Sequence, residues 1–289
     1  MEELTATPLP SKEICVSCGA RLKGNYCKKC GEKKIIPERD FRLSKFLSQS
    51  LWHFVRFDSK LLQSVWLLFS KPGFLTSEWI AGRRVNYMKP LQLFVIASLL
   101  FYFFLPTVPA YYSPTSDLMS GYVAHNIGVN TFHSNLGKII SEKALVFGVD
   151  EKEFAVRLDS IAARQSKTWL FFIIPFWGSL IFLLYHRTIP WLAPHLIFAM
   201  HGLTFNLLAD LSIHFFLHIF GIPIMGQVIF LILMFFIWIY QFFAVQRVYG
   251  SKWFEAIFKS LIILVGLISI ILIYRQVITV STLFFMKGI

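Results

Sequence analysis

All four cysteines of the 289-residue chain lie in one stretch, CVSCGARLKGNYCKKCG, from Cys15 to Gly31. They form two Cys-x2-Cys pairs, Cys15 with Cys18 and Cys27 with Cys30, separated by eight residues. Such a turn aims two thiolates at one ion. Gly19 and Gly31 follow the pairs, where a positive φ closes each knuckle without steric cost. Between the pairs, Gly24 and Asn25 mark a turn that folds one knuckle onto the other. Four thiolates suit a tetrahedral zinc ion. A redox pair or two disulfides would use the same residues, but the duplication, the paired glycines and a reducing compartment favour zinc. Lys28 and Lys29 favour thiolate. With four protein ligands there is no open position, so the zinc is expected to be structural rather than catalytic.

A second polar set lies in the run HLIFAMHGLTFNLLADLSIHFFLHIF. Asn206, Asp210, His214 and His218 are spaced by four and share a slowly drifting helical stripe. His195 falls near the same face, and His201 lies opposite Asp210. A carboxylate in the middle of an apolar helix is costly and must face the protein interior. Three functional uses compete: a proton or cation path, a metal held by Asp210, His214 and His218, and Asp210 as a general base. The plainer use is helix-to-helix hydrogen bonding, with Tyr185, Gln227 and Gln241 as candidate partners. Gly-x-Ser-x-Gly and His-Glu-x-x-His motifs are absent, so hydrolase chemistry has no support and no catalytic residue is assigned. A third set, Arg83, Arg84 and Lys89, could contact lipid phosphate or simply mark topology.

These residues must be positioned by apolar helices. The chain is 56% hydrophobic and only 15% charged, against about 25% in soluble proteins. Five apolar segments, 90–105, 168–185, 196–220, 222–245 and 256–274, read as spans, with Pro90 as a first helical residue. The expected fold is an all-α integral membrane protein with about five transmembrane helices and a small N-terminal zinc ribbon. Its parts are a tail at 1–11, the ribbon at 12–32, a basic linker at 33–43, amphipathic or interfacial helices at 44–73 and a bundle at 74–289. Within the bundle, 106–167 is expected outside the cytoplasm. There Phe154, Leu158 and Ile161 share one helical face. The run before Lys71-Pro72-Gly73 is too short to span. It either lies in the interface, with Trp52 and Trp66 at headgroup depth, or packs on the cytosolic side of the bundle.

The net charge is +12, and 16 of the 28 Lys and Arg residues precede position 91. Beside apolar spans this points to an anionic membrane surface, with nucleic acid disfavoured. Arg83, Arg84, Lys89, Arg187, Arg247 and Lys252 lie at one set of helix ends, which places the amino terminus in the cytoplasm. The opening MEELTATPLP lacks the pattern of a secretory signal.

Several stretches resemble a known family. They are CVSCG and CKKCGE, KPG at 71–73, IAGRRVNYMKPLQLFVIASLLFYFF from Ile80, and PFWGSLIFLLYHRTIPWLAPHLIFAMHGLTF from Pro175. The family is an uncharacterised bacterial one, domain of unknown function 3667, pairing a zinc ribbon with a multispan membrane region. The resemblance implies this architecture and a bacterial inner membrane; it implies no activity. Within it His195 and His201 recur more clearly than Asp210, His214 and His218. The sequence therefore points to a membrane-anchored zinc-ribbon protein acting as a cytosolic partner-binding or sensing adaptor. The alternatives are a small transporter or channel and, third, an intramembrane enzyme. Membrane lipids and a cytosolic protein are the expected partners.

Overall fold

The structure is a computed structural model that describes residues 14–34, 36, 40–41, 60–104, 141–221 and 226–285. The expected tail, much of the linker, the helix before residue 60 with Trp52, and the prolyl start of the 106–167 segment lie outside these residues. Among the described residues the chain is helical, apart from two isolated antiparallel bridges, Ile14 with Arg21 and Tyr26 with Lys33. Each bridge closes one cysteine knuckle.

The helices are α1 (Lys60–Ser70), α2 (Phe74–Ile80), α3 (Pro90–Phe104), α4 (Glu151–Tyr185), α5 (Leu192–Ile219), α6 (Gly226–Tyr249) and α7 (Trp253–Phe285), with a short helical stretch at 141–147. Three contain stretches long and apolar enough to cross a membrane: Leu192–Leu217, Leu231–Tyr249 and Trp253–Thr282. The other two expected spans are the shorter apolar helices Pro90–Phe104 and Leu170–Tyr185. The 15 residues of α3 rise about 22 Å, less than the roughly 30 Å hydrocarbon core. The segment Leu170–Tyr185 is the C-terminal half of α4, which runs unbroken through Pro175.

The chain divides into two units. The first comprises residues 1–103 and 174–268. Its central element is α5, whose apolar window is 78% buried, against 33% for α6 and 28% for α7. Trp177 is fully buried; it donates from Nε1 to Ile263 O at 3.1 Å and lies over Gly202. A Cβ at Gly202 would sit 2.7 Å from the indole, so a glycine is what lets the ring approach α5 this closely.

Against α5 and α6 packs a hairpin made of α1, the turn Lys71-Pro72-Gly73 and α2. Gly73 turns the chain with φ 74°, and its Cα lies so near α6 that a Cβ would meet Ala244 O at 2.7 Å. Arg247 Nη1 donates to Pro72 O at 2.6 Å, and Phe69 packs on Phe205 with ring centroids 5.1 Å apart. Ser64, Leu68, Leu75 and Thr76 are buried, while Leu62 and Trp66 stay exposed. The hairpin is thus packed on the helices along one face and leaves an apolar face open on the other.

The second unit comprises residues 104–173 and 269–289. Ala144, Phe154 and Leu158 form its core, with Phe147, Val149 and Ile161 packed around them. The face shared by Phe154, Leu158 and Ile161 is the one the sequence pattern marks. Tyr274 donates to Ser166 O at 2.8 Å, and Ser281 and Thr282 both donate to Gln165 Oε1.

Candidate metal centre and its junction with the helices

The two knuckles repeat one set of backbone bonds. Gly19 N donates to Cys15 O and Gly31 N to Cys27 O, both at 2.9 Å. Cys15 N donates to Ala20 O and Cys27 N to Glu32 O, both at 2.8 Å. Gly19 and Gly31 take φ of 69° and 76°, the left-handed values that only glycine adopts freely. The knuckles face each other across the cysteines: Cys15 Sγ is 3.5 Å from Cys30 Sγ, and Cys18 Sγ is 3.5 Å from Cys27 Sγ. All four sulfurs lie within 4.8 Å of one another.

These distances fit a tetrahedral ion. Metal–sulfur bonds of about 2.3 Å place ligand sulfurs about 3.8 Å apart, whereas a disulfide needs about 2.05 Å. The thiols are free. Their electrostatics also call for a cation. Amides of Cys30 and Lys29 hold the Cys27 thiol down to about 6. The Glu32 amide pulls Cys30 down as well, but burial and the neighbouring sulfurs push it up to about 12. Four sulfurs this close cannot all shed their protons without a positive ion among them. Cys15, Cys18, Cys27 and Cys30 could therefore hold a metal ion, and they leave it no open position.

Glu32, the residue after the second knuckle, links this centre to the helices. Its side chain is 4% exposed. Its Oε2 accepts from Ser17 Oγ in the first knuckle at 2.7 Å, from Arg84 N at 2.9 Å and from Val85 N at 3.0 Å. The loop it grips is held from the other side by α1. Lys60 Nζ donates to Val85 O at 2.6 Å, and Met88 N donates to Ser64 Oγ at 3.0 Å.

Arg83 and Arg84 belong to the same junction. Arg83 forms a two-pronged pair with Glu78, Nε to Oε2 at 2.7 Å and Nη2 to Oε1. The guanidinium of Arg84 lies 3.3 Å from the Trp79 ring centroid, and its Nε donates to Trp79 O at 3.1 Å. Burial pushes Arg84 down to about 9, opposed by Asp40 and Glu32, so it remains charged at neutral pH. Lys89 is half-buried at the start of α3, and that burial lowers its pKa. Both arginines thus have partners within the chain. The sequence reading missed these partners, Glu32, Glu78 and Trp79, because nothing in the local pattern marks them.

The polar residues of α5 are spread over separate contacts. His195, fully buried, places Nε2 3.0 Å from Ile189 O and Nδ1 2.9 Å from Tyr249 OH. Nε2 must donate to the carbonyl, which leaves Nδ1 to accept from the tyrosine. His201 Nδ1 lies 2.8 Å from Thr76 Oγ1 in the hairpin. Asp210 and His214 meet as residues four apart should, with His214 Nδ1 2.9 Å from Asp210 O and 3.3 Å from Oδ1. Asn206 is half-buried, and the His218 side chain lies outside the described residues. Tyr185 stacks on Tyr249, while the buried Gln241 amide makes no hydrogen bond among the described residues. Among those residues, the four cysteines are the only group of three or more His, Cys, Asp or Glu placed to hold a metal.

The His195 contacts make a testable case for a structural role. His195→Phe keeps the bulk but leaves Tyr249 OH and Ile189 O without their partner. The expected loss is about 1–3 kcal/mol of stability, read as an earlier thermal transition in detergent. An unchanged transition would show that these bonds hold nothing.

The fold and site define a class: a helical protein with, among the described residues, three helices apolar enough for a membrane, carrying a four-cysteine module that could bind metal. Within that class, residues 58–102 match the family described as Protein of unknown function (DUF3667). The matched segment covers the hairpin, the Arg83-Arg84 loop and most of α3. No curated protein and no solved structure matches the chain.

Proposed function

We propose that the chain is a membrane-anchored adaptor that holds a structural zinc ion and presents its zinc ribbon to a cytosolic protein with an acidic surface. Supporting this is the sign of the module's exposed charge. Arg21, Lys23, Lys28 and Lys29 are all exposed, around the 62% exposed Tyr26. Among the described residues of 14–41 the acids, Glu32 and Asp40, are buried and engaged. A closed metal site beside a surface of one sign suits recognition better than chemistry. Thiolate donors suit zinc, and basic residues at one set of helix ends support an N-terminus on the cytoplasmic side of a bacterial inner membrane.

The test is the double variant Lys28→Glu, Lys29→Glu. Neither side chain is buried or supplies a ligand, so the four cysteines should keep the metal even without the two lysine charges that favour their thiolates. Co-purification of the partner from native membranes should fall by about tenfold or more, as expected for reversing two charges at a steered contact. Metal content and partner yield are read together by mass spectrometry. Full partner recovery with both charges reversed would sink the adaptor reading.

A further inference from the structure

We propose that the four-cysteine module is a metal-dependent clamp on the loop between α2 and α3, and that Glu32 is the arm through which the metal centre holds that loop. The inference rests on the fit of a metal to the four cysteines and on contacts within the chain. It requires no partner.

Glu32 belongs to the metal site through its backbone and to the loop through its side chain. Its N–H points at Cys30 Sγ, and its C=O accepts from Cys27 N. Both atoms are set by the second knuckle, so the start of the side chain is fixed wherever the ion fixes the sulfurs. Its Oε2 accepts from Ser17, which sits between Cys15 and Cys18 in the first knuckle. The carboxylate is therefore aimed by both knuckles at once, and only their convergence brings the two supports together. From that position the same oxygen takes the amides of Arg84 and Val85, 52 and 53 residues away in sequence.

Among the described residues, the loop has a further contact toward the linker, the Arg84 guanidinium 6.0 Å from the Phe41 ring, which is looser than a hydrogen bond. Arg84 also stacks on Trp79 and Arg83 pairs with Glu78, but these bonds run back to α2 and travel with it. Lys60 holds the carbonyl of Val85 and leaves its amide to Glu32. A buried carboxylate accepting two backbone amides is a strong, directional hold. If the knuckles part, Glu32 loses its aim and the two amides lose their acceptor. The loop then opens locally while the helices behind it need not. Because the loop runs directly into α3, the occupancy of the metal centre is felt at the start of an apolar helix.

The experiment is hydrogen–deuterium exchange on the purified full chain in detergent or nanodiscs, loaded with zinc and then stripped with a chelator. Peptides containing Arg84 and Val85 should exchange about tenfold faster or more without metal, while the buried part of α5 is unchanged. Glu32→Ala should give the same increase with the metal still bound equimolarly. Glu32→Gln, which keeps an accepting oxygen, should fall between the two. Unchanged exchange at Arg84 and Val85 after chelation, or in metal-loaded Glu32→Ala, overturns the clamp. So does equal acceleration across α5, which would mark general unfolding. The partner assay with Lys28→Glu, Lys29→Glu does not touch Glu32, so either reading can fail while the other stands.

Discussion

Cys27→Ser is expected to remove the bound metal and unfold residues 14–34 while leaving α4 to α7 assembled. Cys27 is 3% exposed and faces Cys18 across the centre. The decisive point is what else holds the module. Among residues 14–34 the fully buried side chains are Cys15, Cys27 and Glu32; the apolar Val16 and Leu22 are only half-buried. A segment this short without an apolar core has little burial to set against its chain entropy. Structural zinc supplies about 10–16 kcal/mol in comparable small peptides, far more than the two bridges and few hydrogen bonds here. The loss should therefore be all or none. Elemental analysis reads the metal, and trypsin reads the fold, because Lys28 and Lys29 are exposed sites that become cleavable once the knuckle opens. A metal-free Cys27→Ser protein that still resists trypsin at these lysines would contradict the account.

The second large effect is expected at Gly73. Gly73→Ala forces an L side chain into φ 74° and places its Cβ 2.7 Å from Ala244 O and 2.8 Å from Ala244 Cα. The left-handed backbone costs about 1 kcal/mol. The clash is with backbone on a packed helix, which cannot swing aside as a side chain can, and overpacking of this kind adds about 1–3 kcal/mol. The total, about 2–4 kcal/mol, should displace the hairpin from α6 and weaken the Arg247 to Pro72 bond. Gly250 supplies the control. It has φ 63° but nothing within 4 Å of an added Cβ, so Gly250→Ala should show the backbone cost alone. Thermal unfolding in detergent compares the two. If Gly73→Ala is no worse than Gly250→Ala, the close approach of the hairpin to α6 is not needed for stability.

What could be read in the sequence was what is local. The cysteine knuckles close through bonds of a few residues, so spacing and two glycines were enough to predict them, including the positive φ at Gly19 and Gly31. The apolar helices were equally plain, although their ends moved. Segment 168–185 turned out to be part of a helix that begins at Glu151, because Pro175 does not end it. The stripe of α5 was legible as a stripe, and Asp210 and His214 do meet. Its partners were not legible. His195 finds Tyr249, 54 residues on, and His201 finds Thr76, 125 residues back. Glu32 in CGEKK looks like one more charged linker residue until a loop 52 positions away is brought to it. No periodicity carries that information, since it depends on how separate helices pack.

The hairpin's contacts also set an order of events during synthesis. Arg247, which holds Pro72, lies 175 positions further along the chain. At about 5–20 residues per second, α1 and α2 leave the ribosome roughly 9–35 s before the helix that will cover them. In that interval Thr76 has yet to meet His201, but Glu78 is not left waiting. Its partner Arg83 follows five residues later and can neutralise it at once. The nascent hairpin can therefore wait for α5 and α6 without a bare carboxylate.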